Sequence, residues 1–568
     1  MIRLVFALIA SLLLVAPASA QLAPLHGGGT DTANAASRPF TALHTYYLAA
    51  SGCNDGYDGS SPTHTAGNVG PWCSPNHRVV CGDAIIASAG TYNNGQFSGT
   101  WGAVNNCPSS SGGIDGSGGI YFAVLLCGAT DLMGCRITNG KDAAAVELYG
   151  GAHNWAVEGF VIPNVIGYNG FQVRIVSYDC NTYYSSHHIA FINNVVYNSQ
   201  QAIGLNDCGK ARGSHPPAAD YLAAVGNIAQ NAAQNSICLG AIDFVGTGQT
   251  DANTTAIKGF MAGNFSWNNQ NSACNSKYDN VGLMFDTLDA HDSNGIWNAL
   301  NNVSYYSGRY GYQLFWQCAS LTPFTVNIYN NTLFANNATS AITNTSLAGD
   351  MNVSANGSCT GFNPIPVTVN IYNNIAKSNW ATFGGSGGGS VYALAMSIHN
   401  SGSSDTWSHW GLLTNGTAGN ENIWKGQRNR CTIFNGQGGC DSGFNINWTD
   451  SVSRLGTNYY EDPSFANESE LLKNRLGPPD CSGFASTTQC MGWDATTRTL
   501  TTPSVISDLV ASCTHCSGKG YQLPSTTCVN GGTFYDLFPT WLKGVVYLHW
   551  TGAQITQNFG LLTLPCGL

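Results

Sequence analysis

The sequence predicts an all-β chain wound as a right-handed parallel β-helix solenoid with a disulfide-rich C-terminal segment, and three observations lead there. The first is a recurring frame in which a short apolar alternation ends in one or two asparagines followed by an apolar residue. It reads IAFINNVVYN from Ile189, YLAAVGNIAQN from Tyr221, IKGFMAGNFSWN from Ile257, IWNALNNVSYY from Ile296, TVNIYNNTLFANN from Thr325 and VTVNIYNNIAKSN from Val367. The asparagine before the apolar residue falls at Asn194, Asn227, Asn264, Asn302, Asn331 and Asn374, in steps of 33, 37, 38, 29 and 43 residues. A repeat that recurs with variable length is a coil with a rigid wall and elastic loops. The second observation is the period of two in each frame, carried by β-branched and aromatic residues, which specifies strand and not helix. The third is composition: only 9% charged residues with 68 glycines and 43% hydrophobic residues, a turn-rich β chain and not a disordered one.

Each element follows from that scheme. Stacked frames bury their apolar side against one another and bring successive asparagines to one corner, where carboxamides bond up and down the stack and Asn tolerates the left-handed backbone. A solenoid core grows by stacking, so 568 residues do not demand several globular domains. Arg3, the apolar run from Leu4 to Val15 and Ala18-Ser19-Ala20 before Gln21 predict a cleaved secretory signal over 1–20. An N-terminal segment over 21–79, the β-helix over 80–467 and a disulfide-bonded C-terminal cap over 468–568 follow. No second long apolar stretch exists, so an exported, extracellular or periplasmic monomer without a membrane span is expected. All 20 cysteines lie past the signal, and an oxidising compartment pairs them; Cys127 with Cys135, Cys431 with Cys440 and Cys481 with Cys490 are the local candidates. The CTHC at Cys513 to Cys516 lacks a second CxxC and a βαβ context, so a structural bridge is expected there. A net charge of −10 without a basic tract argues against a nucleic-acid partner.

TYYLAASGCNDGYDGSS from Thr45 and CGDAIIASAGTYNN from Cys81 resemble the opening of secreted right-handed β-helix proteins of the pectate-lyase-like superfamily, here with a cysteine-containing insertion through Cys73. GTNYYEDPSFAN from Gly456 resembles the strand and DPxF segment that closes such solenoids. The resemblance spans about Tyr46 to Asn467 and bears on fold more than on activity. A further recurrent superfamily motif, D-G-x-G-[IL]-x-x-D followed by N-N-V-x-[YF]-x-x-G-G-x-G-[IY], is matched by YDNVGLMFD and NNVSYYSGRYGYQLF, with Asp279, Gly282, Asp286, Asn302, Arg309 and Gly311 at the corresponding places. The resemblance implies a polysaccharide lyase in which Asp-bound Ca²⁺ neutralises a uronate carboxylate and an Arg or Lys removes the proton α to it. The paired-Asp and G-H-G signatures of the polygalacturonases are absent, as are the W-x-D-H and R-x-P-x-x-R signatures of the best-known pectate lyases.

The residues themselves point to the same region. Strands built on Gly plus alternating apolar residues carry acids at Asp207, Asp243, Asp286, Asp289 and Asp292. Stacked at about 4.8 Å, such carboxylates repel and call for a cation, with Ca²⁺ and its oxygen preference the expected one. The bland alternative is that each Asp caps a turn. Asp243, Asp286, Asp289 and Asp207 are thus the candidate metal ligands, and Arg309, Asp286 and Asp289 the candidate catalytic residues. Tyr305, Tyr306, Tyr310, Tyr312 and Trp316 are candidate sugar-stacking surfaces, with Lys277 as a further substrate contact and, with Lys258, a reserve base. Arg309 as a surface arginine stacked on Tyr310 is the competing assignment. His291 beside Asp292 is a candidate acid, whereas His187 and His188, adjacent in a strand, should face opposite ways and not act as a pair. Two rivals stand beside the lyase: a hydrolase using Asp286 with Asp289 or Asp292, and a non-catalytic glycan-binding or matrix protein.

The compartment assignment makes a direct prediction. Thiol counting on the denatured, unreduced protein should find few free groups among the 20 cysteines, and a count near 20 would contradict both export and the disulfide framework.

Overall fold

The computed structural model describes 42–99, the strands of the solenoid with some of their joining turns from there to 465, and short stretches at 493–494, 499–500, 511–517, 519–520, 539 and 541–542. The signal over 1–20 and the pairs Cys431 with Cys440 and Cys481 with Cys490 lie outside the described residues.

Each coil contributes three strands, and the stacked strands form three walls. The first wall is an 11-stranded sheet, parallel in every pairing, that runs from Thr45–Leu48 through Ala84–Ala87, Trp155–Glu158, Ser186–Ile192 and Phe324–Tyr329 to Trp410–Asn415. The second wall holds the short strands just after the asparagines, such as Phe265–Trp267, Val303–Tyr305 and Thr332–Phe334. The third holds Ile242–Val245, Leu283–Asp286, Tyr312–Gln317 and Gly349–Asn356. This is a parallel β-helix, whose right-handed sense is the one that parallel crossovers almost always take. Pairing begins before residue 80, because Thr45–Leu48 already aligns with Ala84–Ala87, and it reaches a last bridge between Ile423 and Tyr459.

Inside the coil, the alternation seen in the sequence becomes in-register stacks of apolar side chains. Trp155, Ile189, Leu222, Gly259, Trp297, Val326 and Val369 align from coil to coil on the first wall. Gly259 interrupts the row for a steric reason: a Cβ there would sit 2.0 Å from the Trp297 ring, so the indole fills the space that the glycine leaves. The neighbouring row alternates Phe191, Ala224, Met261 and Ala299, large against small, all of them buried.

The corner between the first and second walls is made by the asparagines. The residue before five of them takes a left-handed conformation, with φ of 65° at Gly226 and Gly263 and 53–55° at Asn301, Asn330 and Asn373, which is why the frames read Gly-Asn or Asn-Asn. The carboxamide oxygen of Asn302 accepts from both the backbone N–H and the side-chain Nδ2 of Asn264. Its own Nδ2 donates back to the Met261 carbonyl and forward to Asn331 Oδ1, each at 3.0 Å. Both hydrogens and both lone pairs are thereby used. The same pattern links Asn194, Asn227, Asn264, Asn302, Asn331 and Asn374 and continues to Asn422 and Asn458.

Four disulfides are described: Cys53–Cys73, Cys81–Cys107, Cys127–Cys135 and Cys513–Cys516. The Cys127–Cys135 pairing and the bridge within CTHC match the expectations from sequence. No described helix is long and apolar enough to cross a membrane. Parts of the C-terminal segment, around Cys516 and around Trp541, lie along the side of the solenoid. Cys516 joins Phe334 and Phe465 in an apolar cluster on the outside of the second wall, and Trp541 and Leu542 join Phe260 and Leu300 outside the first.

Two asparagine rows let the corner be tested against a control. Asn302→Ala strands a buried N–H on Asn264 and a buried carbonyl on Met261, so denaturant unfolding should show a loss of about 3 kcal/mol. Asn327→Ala, in the partly exposed Asn298–Asn327–Asn370 row on the outside of the first wall, should cost under about 1 kcal/mol. Equal losses at the two positions would contradict the role given to the corner.

Candidate functional site

The outward face of the third wall gathers polar side chains from successive coils. Inward positions Ile242, Phe244, Leu283, Phe285, Tyr312 and Leu314 belong to the core, so the alternate residues point out. Strand register places Asp243, Met284, Gln313 and Asn352 in one outward row, preceded by Gly204 one coil earlier, Gln172 two coils earlier and Glu147 three coils earlier. One pleat along lie Asp286, aligned with Val245, and Arg174, whose Nε donates to Glu147 Oε1. Asp243 is buried at 2% exposure, and its Oδ2 accepts from Gln201 Nε2 at 3.3 Å; Asp286 is half-buried. The two carboxylates belong to adjacent coils and the same face. From one inter-strand step and two residues of rise, their Cα atoms are about 8 Å apart.

The other expected residues are distributed differently. Asp207, Asp289, Lys277, His291 and Asp292 lie outside the described residues, and so does the side chain of Trp316. Arg309 stands in the turn before Tyr312–Gln317, whereas Asp286 ends its strand, three positions beyond the residue aligned with Tyr312. The guanidinium carbon lies 4.8 Å from the Tyr310 ring centroid, and its buried Nε has no hydrogen-bond partner among the described residues. That contact is the stacked arginine of the competing assignment.

The tyrosines require a correction. Tyr305, Tyr306, Tyr310 and Tyr312 are 0–1% exposed and offer no ring face to a sugar. Tyr312 points into the core between Leu283 and Met351; Tyr305 and Tyr306 pack in the cluster outside the second wall, and Tyr310 packs with Val281 and Met284. Lys258 as a reserve base is corrected too. Its ammonium is fully buried between Asp220 Oδ2 at 3.1 Å and Asp251 Oδ1 at 3.0 Å, with Asp251 Oδ2 also accepting from the Tyr221 hydroxyl at 2.6 Å. A lysine so held is an ion-pair partner, not a free base.

Next to Lys258 the structure assembles a histidine group that sequence reasoning missed. His188 takes φ 51°, and this left-handed bend breaks the strand alternation that should have separated it from His187. The two Nδ1 atoms are 2.9 Å apart. His153, one coil earlier, stacks on His187 at 4.5 Å, and His188 lies between the Tyr121 and Tyr221 rings with Trp541 edge-on. Burial, and then His153, push His187 down to about 3; burial, and then His187, His153 and Lys258, push His188 well below the ordinary imidazole range. Both are neutral donors and acceptors within the packing.

For a cation, Asp243 and Asp286 supply hard oxygen donors of the kind Ca²⁺ takes. The described residues complete no group of three metal-type ligands around them, since the one such group described is Glu461 with Cys513 and Cys516. The donor set on the third wall is therefore partial. No family model matches the chain, and no curated protein does. Among solved structures, the crystal structure of pectate lyase Pel9A is similar at 14% identity, covering 77% of this chain and 87% of that one, with a TM-score of 0.26. A rhamnogalacturonan lyase is similar at 11% identity over 74% of this chain and 90% of that one, with a TM-score of 0.31. Both likenesses are too low to transfer a residue role.

The neutral histidines make stability sensitive to acid. The unfolded chain binds a proton on His187 near pH 6.5 and the folded chain only near pH 3, so the unfolded state holds more protons between those values and stability falls as pH falls through them. Denaturant midpoints recorded from pH 7 downward should drop, and His187→Gln should drop less steeply over the same interval. Parallel curves for the two proteins would count against this assignment.

Proposed function

We propose that the protein binds a uronate-containing polysaccharide along the third wall and cleaves it by β-elimination. The observation that carries this reading is the pair of carboxylates, Asp243 and Asp286, on one face of adjacent coils. Around them the outward row is interrupted at Gly204 and Met284, and its polar members Gln172, Gln313 and Asn352 recur along a stack of parallel strands. A chain-like, hydroxyl-rich ligand suits it better than a compact one.

In this reading Asp243 and Asp286 hold the cation, with Asp207 and Asp289 as the remaining expected ligands. Ca²⁺ supplies withdrawal of charge from the uronate carboxylate, which makes the proton α to it removable. Gln313 and Asn352, at 6% and 2% exposure, support this face from within and do not touch the polymer. Arg309 serves as base or as carboxylate clamp, and its rigid planar fork suits the clamp.

A second reading is hydrolysis by two carboxyl groups, favoured by the placement of Asp243 and Asp286 on one face of adjacent coils, where both could flank a glycosidic bond.

Incubation with pectin, alginate and glycosaminoglycans separates these readings. Elimination gives an unsaturated uronate that absorbs in the ultraviolet and should disappear with a chelator; hydrolysis gives new reducing ends with no absorbance and no chelator effect. Under the lyase reading, Asp286→Ala should lower kcat/KM roughly a hundredfold or more, and Arg309→Lys should lower turnover while leaving the unfolding midpoint nearly unchanged. If chelation and Arg309→Ala both leave product formation as it was, elimination on this wall is ruled out. If neither product forms with any polymer, the protein is a binding module.

A further inference from the structure

The bridge between Cys513 and Cys516 is chemically out of proportion to its structural effect. It spans a sequence separation of 3, so it removes little entropy from the unfolded chain, whereas the Cys81–Cys107 bridge spans 26. It is also met by a third group from far away. Glu461, in the segment that closes the solenoid, brings a carboxylate oxygen to a point where it and both sulfur atoms all lie within 4.8 Å of one another. The carboxylate is aimed, not incidental. Its Oε1 accepts from the backbone N–H of His515 at 2.9 Å and lies 3.1 Å from the same residue's Nδ1, while the His515 ring stacks on Tyr459 at 3.7 Å. Cys516 is 5% exposed and packed in the cluster outside the second wall; Cys513 is half-buried beside it.

We propose that Cys513, Cys516 and Glu461 form a Zn²⁺ site when the cysteine pair is in its dithiol form. Two thiolates at C-x-x-C spacing with one carboxylate are a ligand set for a tetrahedral, borderline-soft divalent ion, and three protein ligands leave the fourth position to water. Opening the bridge takes two electrons and two protons from a dithiol, which leaves as its own disulfide. Zn²⁺ then displaces the two thiol protons and forms two Zn–S bonds. His515 acts as a positioning residue: its backbone and ring hold Glu461 toward the sulfurs, as outer partners of ligating carboxylates do. The ion ties together what the disulfide leaves separate. The bridge closes only its own short loop, whereas a metal bound to Glu461 joins the C-terminal segment to the closing segment more than fifty positions earlier, a longer loop with a larger effect on the unfolded chain.

The test uses the full chain. Cys513→His leaves Cys516 as a thiol with His and Glu beside it, needs no reductant and keeps the other bridges. After desalting, this chain should carry one equivalent of Zn²⁺ while the oxidised wild type carries none, and Co²⁺ in its place should show a thiolate-to-metal charge-transfer band. Adding Glu461→Gln should weaken Zn²⁺ binding at least tenfold. A folded Cys513→His chain that takes up neither ion, or uptake indifferent to Glu461→Gln, overturns the proposal. If Cys513→His does not fold, wild-type chain opened with a phosphine reductant, with alkylation verifying that Cys513 and Cys516 react, is compared with the Cys513→Ser/Cys516→Ser double variant. One extra equivalent in the wild type supports the site, and equal uptake in the two overturns it.

Discussion

A solenoid must turn a corner in every coil, and each corner leaves backbone donors and acceptors that no sheet can pair. In this chain the problem is solved by one side chain. Asn227, Asn264, Asn302, Asn331 and Asn374 are 0–1% exposed, and their carboxamides bond to the coil before and the coil after. Aspartate has the acceptors without the donors, glutamine is a methylene too long to repeat the contact, and an apolar residue leaves buried groups unmet. The row also fixes the axial position of each coil against its neighbours. First and second walls meet at this corner, and the third wall keeps the same coil-to-coil spacing, which aligns Asp243 with Gln313 and Asn352 through Met284.

The corner was legible because its two requirements are written locally. A left-handed residue and then a carboxamide must follow an apolar alternation, and Gly-Asn or Asn-Asn is nearly the only way to write that. The row extends to Asn422 and Asn458, which the frames did not reveal, since the glutamate and glycine around NENIWKG and GTNYYED dilute the alternation. Outside the corner the signal weakens. Period two states that neighbours face opposite ways but not which of them faces in, so Tyr312 read as a sugar platform although it aligns with Leu283 and points to the core.

The site was less legible still. The sequence places Asp243 and Asp286 on one face because their strands carry the same Gly-apolar pattern; the two strands pair in parallel, and that register says nothing of a role for either residue. Tyr305 and Tyr306 fail as platforms because Phe465 and Cys516, well over a hundred residues later, pack into the cluster they belong to. No local pattern announces such a contact. The His187 and His188 pair escaped for a conformational reason: one non-glycine residue at positive φ cancels the rule by which strand neighbours separate.

The tail's position has a consequence for how the molecule is made. Coils stack on their immediate predecessors, so the spiral grows in step with synthesis, one turn templating the next. Trp541 breaks that locality, because its indole donates to the Ile257 carbonyl 284 residues back and its ring meets Phe122 and His188, from coils made earlier still. Until Trp541 and Leu542 emerge, the apolar strips they cover on coils already built face solvent. Such exposed apolar surface makes a growing chain prone to association, whatever the stability of the coils already formed.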